Sequence, residues 1–368
     1  MIFLYFNIHN NIQNMNNIYL TIVAASRNDN HGNKLDERTN IFIKSLAENC
    51  KKYKIPSELI LVEWNQILNK KTLSDRLDLI SNEYLDSKII TVSNDHHLRL
   101  PNSDRIQFFQ MIAKNVGIRR ALGKFVLATN IDVIMNQELF KFIAKKELKE
   151  KTIYRCDRHC IDYDYSGNIK DNHLDQLTNF IDKKFYSLDV KTKVKFYVYS
   201  SEFRHIKNLL KSIFKKKEKS LIERIKFKNF KNILKKIVFY FRNFLFQEKL
   251  FTNACGDFTL LDKNSWFDLK GYCELPIFSW HLDSLLLWEA RFKNYNFHDL
   301  NDDYYIYHIN HLKSGVISEK TKLFENLDNN KIPYLTNDEF LDIAMKLSKN
   351  PDYLKNNEFW GLHNKNLN

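Results

Sequence analysis

An α/β fold built on a mainly parallel sheet with flanking helices is what the sequence predicts, and three observations lead there. Four short apolar runs, separated by helical periodicities, occupy the part of the chain before Met135. Polar loops follow the first, second and fourth of those runs. Glycine and proline number only 8 and 5 in 368 residues, too few for a collagen-like or proline-rich chain, so helix should predominate among the connections. With 44% hydrophobic and 14% aromatic residues, the chain has enough apolar surface to offset its entropy, which excludes wholesale disorder.

Ile18 to Ala25 (IYLTIVAA) reads as the first strand and opens into the polar loop Ser26 to Arg38. Thr39 to Tyr53 carries Ile41, Ile43, Leu46 and Ala47 at helical spacing, and Pro56 separates it from a second buried strand, Glu58 to Trp64. Lys88 to Val92 is a third strand, and Arg105 to Ala121 a helix that Gly123 stops. Lys124 to Thr129 is a fourth strand, running into Asn130-Ile131-Asp132. Such alternation places functional loops at the carboxyl ends of the strands.

After Glu138 come a helix to about Lys149, a strand at Thr152 to Arg155 and a polar connector. From Phe251 an apolar strand and helix resume, followed by a helix Asp283 to Arg291, a strand Tyr304 to His311 and a polar tail. The units are then 17–150, a connector 151–203, a basic segment 204–250, a second half 251–315 and a helical tail 316–368.

Between Arg204 and Lys249 stand fifteen lysines and arginines against three glutamates, which accounts for nearly all of the net charge of +13. Apolar residues at three- and four-residue spacing, such as Ile206, Leu210, Ile213, Ile237 and Phe241, make these helices amphipathic. A basic face beside an aliphatic one suits an anionic membrane surface better than nucleic acid; an insertion packed on its own domain is the plainer alternative. No apolar run approaches the length of a spanning helix. MIFLYFNIHNN lacks a basic region and a cleavage site, and Met15 reads as a start. Five cysteines, odd and sparse, point to a reducing compartment, with CDRHC (Cys156 to Cys160) read as ordinary thiols.

The run AKNVGIRRALGKFVLATNIDVIM, Ala113 to Met135, resembles nucleotide-sugar glycosyltransferases of the GT-A fold, where a helix bearing A-R/K-N-x-G-I-x-x-A-x-G leads into a metal-binding D-x-D strand. Ala113, Lys114, Asn115, Gly117, Ile118, Ala121, Gly123 and Asp132 match, while Asn130 stands where most members carry the first aspartate. TIVAASRND is similar to the family's base-cradling first strand and loop, and LVEWN to its second strand. The stretch Gly256 to Trp288 resembles the galactosyltransferase-type acceptor segment.

The resemblance implies a nucleotide-sugar half and an acceptor half, with the basic segment inserted between them. It makes Ser26, Arg27, Glu63, Lys114, Asn115, Asn130 and Asp132 donor-binding, and Asp132 with His308 or His311 the ligands of Mn2+ or Mg2+. Asp257, Trp280 and His281 would meet the acceptor, and Asp283 would be its base. Transfer from a nucleotide diphosphate, with a UDP-sugar favoured, needs a cation on the leaving group, positive charge nearby and a base at the acceptor hydroxyl.

Plainer roles stay open: Asp283 as a helix cap, Asp257 in a turn, Asn115 as a brace, Glu63 and Trp64 as a core-edge pair, and the histidines as strand-end residues. The expected activity is transfer of a sugar to a glycan or lipid-linked acceptor by a cytoplasmic enzyme on the inner membrane face. The alternatives are a degenerate scaffold and a sugar nucleotidyltransferase, for which SRNDNHGNK is a poor signature loop.

Overall fold

The computed structural model describes residues 18–161, 234–235, 238, 250, 252, 254–300, 303–309, 316–365 and 367. The connector beyond residue 161, nearly all of the basic segment 204–250, His311 and both candidate start methionines lie outside the described residues.

The four N-terminal apolar runs form β1 (Leu20–Ser26), β2 (Ser57–Trp64), β3 (Leu85–Val92) and β4 (Phe125–Thr129). They lie parallel in the order β3-β2-β1-β4. Every residue of β1, β2 and β4 is buried, because helices cover both faces, and their interiors are apolar runs instead of alternating. The N-terminal helices are α1 (Leu35–Lys52), α2 (Leu73–Arg76), α3 (Asn94–Leu98), α4 (Gln110–Arg119) and α5 (Gln137–Ala144). Successive strand residues serve opposite cores. Ile22 and Ala24 cluster with Phe42, Leu46 and Phe140 of α1 and α5, whereas Val23 and Ala25 cluster with Ala113 and Val116 of α4.

Beyond β4 the sheet becomes mixed. Strand β8 (Phe258–Asp262) runs antiparallel between β4 and β6 (Thr152–Arg155), and β9 (Asn296–Asp299) closes the edge parallel to β6. A second sheet joins β5 (Val133–Met135), β10 (Tyr305–Ile309) and β7 (Asp157–Ile161). The C-terminal helices are α6 (Lys263–Leu269), α7 (Leu282–Phe292), α8 (Val316–Asn329) and α9 (Asn337–Leu347). This is the expected mixed, mainly parallel sheet flanked by helices. Strand order reverses between β1 and β4, and the crevice at such a reversal is where open α/β sheets bind ligands.

Several local expectations change. Helix α1 starts at Leu35, ahead of Thr39, because Asn30 Oδ1 accepts from the Leu35 amide. Helix α4 spans only Gln110–Arg119, and Gly123 lies past its end. Gly123 serves close approach: a Cβ there would sit 2.6 Å from the Thr21 nitrogen of β1. Gly117 does the same for the helix, since its Cβ would meet Val23 Cγ1 at 2.5 Å. Helix α5 ends at Ala144, short of Lys149, and Lys146 turns left-handed with φ of 56°.

The expected polar tail is instead stitched to α4. Trp360 is fully buried, and the Arg120 guanidinium donates to the carbonyls of Gly361 (2.7 Å) and Leu362 (2.8 Å). Arg119 lies 4.8 Å over the Trp360 ring. Among the described residues, no helix is long and apolar enough to cross a membrane. Cys50, Cys156, Cys255 and Cys273 are buried free thiols, as expected.

Candidate active site

The registers that build the sheets bring the distant halves of the sequence together at the end of β4. Thr129 pairs with Phe258 in the antiparallel β4–β8 ladder, so the next residues in each direction, Asn130 and Asp257, face one another. Asn130 Nδ2 donates to Asp257 Oδ1 at 2.5 Å, and Gln110 Nε2 donates to Asn130 Oδ1 at 2.9 Å. Strand β10 lies antiparallel to β5 with His308 opposite Val133, and the Ile309 amide donates to the Asp132 carbonyl (3.0 Å). That register carries His308 Nε2 to 3.7 Å from Asp132 Oδ2.

Charge is dense and nearly buried here. Arg38 Nη1 donates to Asp132 Oδ2 at 2.6 Å, with side-chain exposures of only 2% and 8%. Arg158 of β7 donates to Asp257 Oδ2 at 2.6 Å. Burial acts to raise the Asp257 carboxyl, but the charges of Arg158, His308 and Lys114 outweigh it and hold the group below its usual range. Lys114 Nζ donates to the Gly256 carbonyl (2.7 Å). Burial pulls that ammonium down to about 8, against the opposing charges of Asp257, Asp283, Cys255 and Asp132.

Asp283 grips the same residue from its amide side. Its Oδ2 accepts from the Gly256 amide and its Oδ1 from the Ser284 amide, both at 2.8 Å. A Cβ on Gly256 would come within 2.9 Å of Asp283 Oδ2, so a larger residue there would have to displace that carboxylate. As the second residue of α7, Asp283 sits inside the first turn and is not its N-cap, which is His281.

The other expected residues occupy separate stations. Ser26 ends β1, and Glu63 is the last residue but one of β2. Arg27 Nε donates to the Asn65 carbonyl (2.9 Å), tying the two strand ends together. Glu63 is buried and accepts from the Leu73 amide (3.0 Å) and the Thr91 hydroxyl (3.4 Å), and burial raises its carboxyl despite those bonds. Asn115 is a brace: its amide group exchanges bonds with Tyr272 N and O (both 2.8 Å) and reaches Glu274 Oε1 at 3.0 Å. Trp280 packs edge-on against Phe324 of α8, and His281 stacks on Phe340 of α9.

Trp64 belongs to the core edge with Glu63, as its plainer reading held, and the structure adds a buried partner. The Trp64 indole N–H donates to His97 Nδ1 and His97 Nε2 meets the Ser103 carbonyl, both at 3.1 Å. Both bonds require the neutral ring, with its proton on Nε2. Burial lowers the His97 pKa below the ordinary imidazole value, with Ser103 opposing and Arg27 assisting. A depressed histidine contributes stability that is complete above about pH 6.5 and is lost as pH falls toward the folded-state value. The urea midpoint is therefore expected to fall between pH 7 and 5, and less steeply in His97→Gln. An equal slope in both proteins would contradict this.

Asp132, His308, Asn130, Asp257 and Lys114 thus converge, with Asp283 joined through Gly256. Arg38, Gln110 and Arg158 belong to the same cluster, and no motif in the sequence marks them. Arg38 stands at the end of a polar stretch, and Arg158 lies between the cysteines of CDRHC.

Asp132 and His308 offer one carboxylate and one imidazole, an oxygen and nitrogen pair that Mn2+ and Mg2+ accept to differing degrees. Among the described residues no group of three or more His, Cys, Asp or Glu is assembled to hold a metal. Two protein donors suffice where substrate phosphates and waters complete the shell, so this pair fits such a cation.

No protein-family model matches the chain, and no curated protein does. Solved structures of similar outline include the 1-349 fragment of S. aureus TarS in complex with UDP-GlcNAc, 12% identical, covering 93% of this chain and 75% of that one at a TM-score of 0.43. Another is the mannosyltransferase PcManGT from Pyrobaculum calidifontis in complex with GDP-Man and Mn2+, 11% identical, covering 94% and 72% at a TM-score of 0.41. Both are GT-A-type glycosyltransferases. In this chain, the helix of the resembling segment owes Gly117 to packing and Asn115 to a turn, while Lys114 and Asp132 face the candidate site.

Proposed function

We propose that the protein is a glycosyltransferase moving a sugar from a nucleotide diphosphate to a hydroxyl acceptor on a glycan or lipid-linked glycan. The observation that carries this reading is the cluster of Asp132, His308, Asn130 and Asp257 at the strand-order reversal between β1 and β4. A divalent cation bound by Asp132 and His308 would neutralise the charge that develops on the leaving diphosphate. Arg27, half-buried at the end of β1, adds positive charge on the donor side.

On the acceptor side, Asp257 remains ionised and is oriented by Asn130 and Arg158, which fits it to hold an acceptor hydroxyl. Asp283, clamped to Gly256 and half-buried, would take the acceptor proton in an inverting reaction. Lys114 touches a backbone carbonyl and so positions the 254–257 turn without contacting substrate.

The test is a thermal-shift panel of UDP, GDP, CDP and dTDP sugars with and without Mn2+, on the wild type and on His308→Ala. A ligand that binds the native state raises its midpoint by mass action. One nucleotide class should stabilise the wild type in an Mn2+-dependent manner, and the variant should lose that dependence. No shift with any donor sinks the proposal.

A further inference from the structure

The structure holds a positive charge on Asp132 already, and it comes from the protein. Arg38 of α1 is fully buried beneath the loop that follows β1. Its guanidinium makes three bonds in three directions: Nη1 to Asp132 Oδ2 at 2.6 Å, Nε to the Asn33 carbonyl at 3.2 Å, and Nη2 to the His31 carbonyl. One side chain therefore ties the loop after β1 to the carboxylate after β4, across the reversal in strand order.

That loop is held in an unfavourable shape. Gly32, Asn33 and Lys34 have φ of 70°, 62° and 49°, three consecutive left-handed residues of which only the first is glycine. L-residues occupy that region at a cost and persist there only when their surroundings enforce it. Two of the bonds that enforce it are those Arg38 makes to the carbonyls of His31 and Asn33. The Asn30 side chain on the Leu35 amide and Asp29 on the His31 amide supply others.

We infer that Arg38 is a resident counter-charge which a divalent cation must overcome at Asp132, and that cation binding thereby loosens the loop 29–34. The inference rests on the proposed reading of Asp132 and His308 as the cation's protein ligands. A cation near Asp132 Oδ2 lies close to the guanidinium that is 2.6 Å from the same oxygen, and both groups are buried where water screens little. Repulsion between two positive charges there weakens cation binding and pushes Arg38 away. As Arg38 withdraws, the carbonyls of His31 and Asn33 lose their donor and the strained turn loses part of its restraint. Occupancy of the cation site would in this way reshape the wall beside the nucleotide.

Hydrogen exchange of the full-length wild type, with and without Mn2+, reads the loop directly, and calorimetric Mn2+ titration of wild type, Arg38→Lys, Arg38→Gln and His308→Ala reads the competition. Mn2+ should accelerate exchange of the amides in residues 31–35. Arg38→Gln, which removes the charge, should bind Mn2+ on the order of tenfold tighter or more, whereas Arg38→Lys should stay near the wild type. If His308→Ala abolishes Mn2+ binding but the loop exchanges unchanged and Arg38→Gln binds no tighter, the inference fails and the cation site stands. If His308→Ala binds Mn2+ as the wild type does, or the wild type binds none, the reading of the cation site fails and the inference with it. Should Arg38→Gln not fold, exchange in the wild type decides alone.

Discussion

Placing an aspartate at position 130 is expected to damage the proposed transfer activity. Asn130 stands where the resembling family carries an acid, and from sequence alone that looks like decay. The β4–β8 register gives it another meaning, because Asn130 faces Asp257 and donates to its Oδ1 at 2.5 Å. In Asn130→Asp the bond from Gln110 survives, the amide donor toward Asp257 is replaced by an acid that donates only while protonated, and two carboxyl groups meet in a buried site. Like charges at that distance do not both ionise, so the pair holds a proton and its carboxyl pKa rises.

Losing one hydrogen bond to a charged group is worth about 1.5–3 kcal/mol, which predicts a fall in kcat/KM of roughly ten- to a hundredfold. Because a raised carboxylate binds its proton more tightly in the folded state, the stability deficit should grow as pH rises. Pairing the change with Asp257→Asn supplies a donor again and should recover much of the melting temperature, though Arg158 then faces a neutral partner. Steady-state donor turnover and thermal melts of the four proteins from pH 5 to 8 measure both effects. A single Asn130→Asp variant as active as the wild type across that range would show that Asn130 is decay after all.

Asp132→Ala is expected to lose stability as well as activity. The substitution strips the carboxylate from Arg38, whose side chain is only 2% exposed, and leaves a guanidinium buried with carbonyl partners alone. Breaking a buried pair from one side costs about 3–5 kcal/mol, a large part of a domain's stability. Asp132→Asn should be milder, since its amide oxygen still accepts from Arg38. Urea unfolding of the three proteins ranks them, and a midpoint for Asp132→Ala within error of the wild type would overturn the assignment. An inactive Asp132→Ala protein is therefore weak proof of a metal ligand, and His308→Ala is the complementary probe because it leaves the Arg38–Asp132 ion pair in place.

What could be read in the sequence follows the range of the forces involved. The interiors of β1, β2 and β4 are apolar runs, so local composition revealed them, and with them the carboxyl edge where Asp132 sits. The pairing of Asn130 with Asp257 depends on an antiparallel register between segments 127 residues apart, which nothing local encodes. The bond between Arg38 and Asp132 spans 94 residues and is equally silent. Gly123 was misread because a glycine after a helical pattern usually ends the helix, whereas here the space is needed by the neighbouring strand. The C-terminal region looked polar because its buried contacts are made by scattered residues, chiefly Leu335, Ala344, Leu347 and Trp360, and not by a run.

Gly256 is held at its carbonyl by Lys114 and at its amide by Asp283, so both peptide groups that flank its Cα are restrained. Asp257, the next residue, shares that restraint. The two sides of the candidate site consequently differ in kind: one is pinned at Gly256 from two directions, while the loop after β1 depends on side-chain bonds from Arg38, Asn30 and Asp29. On the proposed reading, discrimination among acceptors would reside in shape on the pinned side, and adjustment to the donor in the side that can give.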